Sequence, residues 1–204
     1  MKIIVLAGGL STERDVSLAS AAGICRTLIE KGHDAFLLDV FLGLEHAPEH
    51  LEDVFTLPGH GLEIAKNISC EEPDLAAVKA SRPDQSDCFL GPNVIELCRL
   101  ADITFLGLHG GEGENGKLQA TFDLLGIRYT GPDSLGCAVA MDKGLTKQVF
   151  LQAGIDTPAG VTIHKKSKDR SLALTGLSLP VVIKPCSGGC LLYTSPSPRD
   201  GATS

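Results

Sequence analysis

Tryptophan is absent from this chain of 204 residues, and aromatic residues make up only 4% of it. Stacking platforms for bases are built from such rings, so little here could form a single-stranded nucleic-acid surface. Basic blocks are missing as well. The formal net charge is −7, which argues against the electrostatic footprint of a duplex-binding protein. No apolar run approaches the roughly 20 residues that cross a bilayer as a helix. The opening MKIIVLAGG is apolar only from Ile3 to Ala7, shorter than the roughly 7–15 residues of a secretory signal core. It reads as a buried first strand, and the expected location is cytoplasmic. There is no CxxC pair among the seven cysteines, Cys25, Cys70, Cys88, Cys98, Cys137, Cys186 and Cys190. An odd count without ligand spacing predicts scattered reduced thiols rather than a disulfide framework or a zinc site.

What remains is 43% hydrophobic and 21% charged, the balance of a soluble globular protein of one or two domains. Residues 2–7, KIIVLA, are rich in β-branched side chains and nearly free of polarity, as in a strand covered on both faces of a parallel sheet. Gly8 and Gly9 turn the chain. Asp15 or Ser17 is then expected to cap a helix running to about Lys31, with Ala21, Ile24 and Leu28 on one face and Gly32 as its stop. Residues 35–40 read as a second strand, completing a βαβ unit with a right-handed crossover.

Residues 43–92 carry Pro48, Pro58, Pro73, Pro83 and Pro92 with little periodicity. They predict an irregular excursion with short helices, one of them near residues 73–80. Regular patterning returns with a helix at 94–100, a strand at 103–108 and a helix at 117–125. A short strand at 127–130, helices at 134–141 and 143–153, and strands at 161–164 and 181–184 follow. The fold class is therefore α/β, with a parallel-sheet unit first and a different arrangement beginning near Pro132.

The most informative stretch joins the strand at 103–108 to the next helix. Within FLGLHGGEGENGKLQATFDLLG, the glycines Gly111, Gly113 and Gly116 satisfy G-x-G-x-x-G, the dinucleotide fingerprint. Glu112 and Glu114 would oppose a pyrophosphate there, and the motif does not occupy the first βα turn. A plain surface loop is the blander alternative. Other short matches carry less. HAPEH, with His46 and His50, fits a metalloprotease pattern whose ligands need an unbroken helix, and Pro48 interrupts it. Cys186 and Cys190 lack metal partners nearby, and Glu71 and Glu72 read as a solvated turn.

The longer string HGGEGENGKLQA resembles the D-alanine–D-alanine ligase pattern through His109, Gly110, Gly113, Glu114, Asn115, Gly116, Leu118, Gln119 and Ala120. The family often has aspartate where Asn115 stands. VLAGGLSTERDVSLASA (residues 5–21), TGPDSLGCAVAMDKGLTK (130–147) and LPVVIKPCSGG (179–189) are similar to further segments of the same family. The resemblance implies a Rossmann-like, pre-ATP-grasp domain over residues 1–132 and the opening of an ATP-grasp domain over 133–189. It also implies phosphorylation of a D-alanine carboxylate by ATP and attack on the acylphosphate by the amine of a second D-alanine, for peptidoglycan precursors.

Residue by residue, the resemblance assigns Glu13 to the ammonium of the first D-alanine and His109 to its carboxylate and the developing acylphosphate. Lys143 and Lys184 match the lysines that contact ATP phosphates. No metal ligand falls within this sequence, since the family's Mg2+-binding acids match nothing up to residue 189. A homodimer through the N-terminal domain is also implied. Cys190 stands where the family has a serine that works with Glu13, and residues 190–204 are unlike the family and rich in Ser, Thr and Pro, which predicts disorder. The chain thus reads as a ligase fragment without activity of its own. The rival expectations are a non-catalytic nucleotide-binding or interaction module and an NAD-binding domain. The choice among D-alanine, D-lactate and D-serine as second substrate is left open.

Overall fold

The computed structural model describes residues 1–65, 67–68, 72–164, 166–167 and 175–187. Cys70, Glu71, Cys190 and the expected disordered tail at 190–204 lie outside the described residues. The chain divides into two compact units, Met1–Ala138 and Val139–Ser204.

The first unit is built on a parallel sheet of three strands, ordered β2-β1-β3. They are β1 (Lys2–Ala7), β2 (Asp34–Asp39) and β3 (Ile103–Leu106). β1 lies in the centre, with Ile4 opposite Phe36 on one side and Thr104 on the other. Alternation along the strands divides the core between the two faces of the sheet. Ile4, Leu6, Phe36 and Leu38 face a cluster completed by Val54, Phe55, Leu97 and Phe122. Ile3, Val5, Ala7 and Leu37 face Leu18, Ala21, Ala22 and Cys25. The latter four belong to α1 (Arg14–Glu30), the crossover between β1 and β2. Covering both faces is what makes the strands read as near-continuous apolar runs.

The expected caps of α1 are corrected by the structure. The helix begins at Arg14, Glu13 occupies the cap position, and no side chain caps it. Ser17 is engaged elsewhere: its hydroxyl accepts from the Gly8 N–H (2.9 Å) and donates to the Gly107 carbonyl (2.7 Å). One buried side chain thereby ties the end of β1 to the residue following β3. The expected strand at 127–130 is reduced to a single parallel bridge, Thr104 to Tyr129.

The excursion at 43–92 contains two 3-10 turns, Leu51–Thr56 and Leu62–Ile64, and α2 (Leu75–Ala80). Its roots are fastened to each other. Leu44 N–H donates to Pro92 O (2.9 Å), Gly91 N–H donates to Val40 O (2.8 Å), and the Asn93 amide donates to Leu44 O (2.7 Å). After it come α3 (Val94–Leu100), β3, the single turn α4 (Gly111–Glu114), α5 (Lys117–Leu125) and α6 (Ser134–Met141).

The second unit contains α7 (Lys143–Gln152), capped by Asp142, whose carboxylate accepts from the Leu145 N–H. The strands expected at 161–164 and 181–184 are not formed. Val161 and Ile163 are exposed, and Val182 and Ile183 are 67% and 79% exposed. A strand is held by a neighbouring strand, and among the described residues neither segment has one.

Two measurements check this account. Arg14 and Asp39 form an ion pair with side chains 5% and 2% exposed. Removing one partner of such a pair leaves a buried charge, so Asp39→Ala should lower the unfolding free energy by about 3–5 kcal/mol in urea titrations. Ser17→Ala should cost about 1–3 kcal/mol; an unchanged midpoint for both would contradict a stabilising part for these buried groups. Burial pushes the Cys25 thiol up to about 11, partly offset by Arg26, and pushes Cys98 up to about 12. Exposed Cys88 should therefore be alkylated by iodoacetamide at neutral pH, while Cys25 and Cys98 react only after unfolding. Peptide mapping before and after denaturation reads the difference.

Candidate functional site

The carboxyl ends of the strands of an open α/β sheet are where ligands sit, and here that edge is organised from below by buried polar groups. Asp39, the last residue of β2, turns one carboxylate oxygen to the Phe41 and Leu42 N–H groups (2.8 and 3.0 Å) and the other to Arg14. Arg14 also donates to the Gly9 carbonyl (2.7 Å). The charge-assisted bonds hold the Gly8–Gly9 turn and the first turn of α1 in one place.

Two loops meet above this layer. Ser11 donates its hydroxyl to the His109 carbonyl (2.6 Å), and the same oxygen accepts from the Glu13 N–H (3.3 Å). Gly110 follows with φ +71°, a conformation side chains avoid. A β-carbon there would also lie 3.1 Å from a carboxylate oxygen of Glu13. Glu13 is therefore packed against the backbone of the loop that carries His109. The imidazole Nε2 is 3.3 Å from the Ser20 hydroxyl, and Nδ1 is 4.0 Å from the Glu114 carboxylate. Glu13 stands at the cap position before α1 and Ser20 within its second turn, so the acid and the imidazole both lie at the same loop near the start of that helix.

A shallow cleft opens between the two loops. Its lining includes the Gly8–Gly9 turn, Ser11, Phe89, His109, Gly110 and Glu112, while Glu13 lies outside the lining, against Gly110. The rest of the motif supports the loop. Gln119 donates to the Gly113 carbonyl (2.9 Å), Asn115 accepts from the Lys117 N–H (3.1 Å), and Leu118 is buried. The GEGENG glycines do not form a dinucleotide turn. They build the α4 turn with Glu112 on the cleft, the acidic approach that an NAD pyrophosphate would not tolerate.

Lys143 and Lys184 lie in the second unit, on adjoining segments. The Lys143 N–H donates to the Cys186 carbonyl (2.9 Å), and Asp142 forms an antiparallel bridge with Ser187. The Cys186 thiol lies 3.1 Å from Asp142 Oδ1. Asp142 is held below its ordinary pKa, first by the Leu145 N–H and then by that thiol. The two expected phosphate contacts are thus carried by neighbouring stretches of chain. Among the described residues no group of His, Cys, Asp and Glu is arranged to hold a metal ion, and no helix is long and apolar enough to cross a membrane.

Sequence reasoning singled out Glu13 and His109 but passed over Ser11, Arg14, Asp39 and Phe89, and took Ser17 only for a helix cap. One signal was available: Arg14, Ser17, Leu18 and Ala21 share a helix stripe, so an arginine on the apolar face demanded a buried acid.

Comparison with known proteins places this geometry. The chain is 42% identical to the D-alanine–D-alanine ligase of Lacticaseibacillus casei over 196 residues, 95% of this chain and 53% of that protein. It is 42% identical to the ligase of Pediococcus pentosaceus over 197 residues, 95% and 54% of the two. The chain spans about half the length of these relatives. Among solved structures, the Bacillus anthracis D-alanine–D-alanine ligase complexed with ATP superposes with a TM-score of 0.61 at 25% identity, covering 93% of this chain and 48% of that one. The VanG D-Ala:D-Ser ligase of Enterococcus faecalis gives 0.59 at 28% identity, covering 93% and 53%. The family model described as the D-ala D-ala ligase N-terminus matches residues 2–132. With a parallel sheet whose carboxyl edge joins the Ser11–Glu13 turn to the His109 loop, the chain belongs to the D-Ala–D-Ala ligase N-terminal family.

Proposed function

We propose that this chain is the substrate-side part of an ATP-dependent D-alanine–D-alanine ligase that supplies peptidoglycan precursors. The observation carrying this reading is the packing of the Glu13 carboxylate against Gly110, beside His109 and bound through Ser11 to the same loop. Glu13 would accept the ammonium of the first D-alanine in a charge-assisted hydrogen bond. His109 would donate to its carboxylate as negative charge develops there. The work of such a site is to position reactants and to stabilise a transferring phosphoryl group. The γ-phosphoryl of ATP passes to the carboxylate of the first D-alanine. The amine of the second then attacks the acyl carbon, loses a proton, and displaces phosphate.

Residues from 133 to 189 would form the start of the ATP-grasp part. Lys143 and Lys184 would meet ATP phosphates as compact positive charges, which fits their placement on adjoining segments. The acids available among the described residues do not cluster as a magnesium site, so Mg2+ would take its ligands from sequence that these residues do not include. A cytoplasmic location follows from the same reading, since ATP is a cytoplasmic metabolite, and a homodimer is what the family resemblance implies. D-Alanine is the second substrate proposed, after the two D-alanine–D-alanine ligases at 42% identity.

The test is direct. D-Alanine titrated into the 15N-labelled chain should shift the amides of Ser11, Glu13, His109 and Gly110, with L-alanine much weaker. Glu13→Gln should weaken D-alanine by roughly 10–100-fold, the worth of a hydrogen bond to a charged group. Equal affinity for the variant would remove Glu13 from the site. Lys143→Ala should separately weaken an ATP analogue while leaving the D-alanine shifts in place.

A further inference from the structure

Phe89 belongs to the irregular excursion, yet it borders the cleft. A β-carbon on Gly9 would lie 3.4 Å from the tip of its ring and 3.2 Å from Val40. The ring therefore stands directly over the Gly8–Gly9 turn. Its backbone is gripped on both sides by one side chain. Arg82 donates one guanidinium nitrogen to the Cys88 carbonyl and another to the Leu90 carbonyl (3.3 Å), the residues before and after Phe89.

Arg82 is itself fixed. Its side chain is 3% exposed and lies 2.7 Å from Asp84 Oδ1. Its guanidinium stacks 4.9 Å from the Phe41 ring centroid. The Arg82 hydrogen bond, with help from the Ser86 N–H, holds the Asp84 carboxyl below its ordinary pKa. Next along the chain, the Gly91 N–H is bound to the Val40 carbonyl (2.8 Å). A planar fork with several donors can hold two carbonyls at once, whereas an ammonium is a single point charge. Phe89 and Leu90 also pack against the side of the core that holds Ile4, Leu6 and Val40, so the clamp fixes the ring from below while its edge borders the cleft.

We infer that Phe89, held by Arg82, is the wall that sets how large a side chain the cleft admits. Phe89 acts as a specificity residue and Arg82 as a positioning residue behind it. The ligand class is a small α-amino acid, so the inference rests on the amino-acid reading of the cleft given above. One methylene in an apolar pocket is worth roughly tenfold or more in discrimination, and a rigid ring over a glycine turn leaves little room for it.

The experiment is an amide-shift titration of the 204-residue chain with D-alanine, D-2-aminobutyrate and D-norvaline. In the unmodified chain, affinity should fall about tenfold with each added methylene. Phe89→Ala should flatten the series, raising the affinity of D-norvaline relative to D-alanine by about tenfold or more, with Phe89→Leu in between. Arg82→Lys keeps the charge but loses the planar fork whose separate nitrogens reach the two carbonyls, so it should flatten the series with Phe89 intact. A merely structural role for Arg82 would weaken all three ligands alike. Retained amide dispersion in β1 and β2 certifies each variant as folded, and Phe89→Leu serves should Phe89→Ala unfold. If D-alanine binds but the ratios are the same in every folded variant, the wall is refuted and the amino-acid site stands. If D-alanine shifts no amide near Ser11, Glu13 or His109, the amino-acid site falls and the wall with it.

Discussion

Arg14 and Asp39 hold the first unit together at the point where it must be most exact. Their ion pair is buried at the carboxyl edge of the sheet, and its remaining hydrogen-bonding capacity is used on backbone: the Gly9 carbonyl for one, the Phe41 and Leu42 N–H groups for the other. A buried ion pair is a poor source of net stability, because desolvation offsets the attraction. Its value here is geometric. It fixes the exit of β1, the entry of α1 and the exit of β2 relative to one another, and Ser17 adds the end of β3. Without those anchors the Ser11–Glu13 turn and the His109 loop would have no common frame.

On that frame the proposed chemistry would fall to few groups. Ser11 serves both loops at once, donating to one and accepting from the other. Gly110 lets the Glu13 carboxylate approach the His109 loop closely. The imidazole is placed between a hydroxyl and a carboxylate, which orients the ring without burying it. In the proposed reading, an acid for a cation and an imidazole for an anion beside one loop suit the two ends of an amino acid. Preorganisation of this kind does much of the work in reactions where the protein forms no covalent bond to substrate.

Much of this was legible in the sequence because local pattern and tertiary role agree. The βαβ unit, the helices at 94–100, 117–125 and 134–141, and the parallel α/β class all follow from apolar periodicity, which burial enforces. The HGGEGENGKLQA string was readable through its family resemblance, and the structure gives several of its positions distinct duties, from the Gly110 approach to the Gln119 hydrogen bond. The cap of α1 was misread, since a serine near a helix start looks like a cap until its hydroxyl is claimed by distant backbone. The strands at 161–164 and 181–184 were misread for a related reason. An apolar β-branched run specifies a strand only if another strand lies beside it, and sequence does not announce the neighbour. Phe89 was invisible because it lies in a segment without periodicity, placed by an arginine seven residues earlier.

The fastening of the excursion to itself has an evolutionary consequence. Residues 43–92 leave and rejoin the sheet at one spot, where Leu44 meets Pro92 and Val40 meets Gly91. Closing a loop costs entropy that grows only slowly with its length. Such a segment behaves as a cassette: homologues can lengthen, trim or exchange it with little disturbance to the strands. Phe89, which borders the cleft, travels with the insert, whereas the Ser11–Glu13 turn and the His109 loop stay with the sheet.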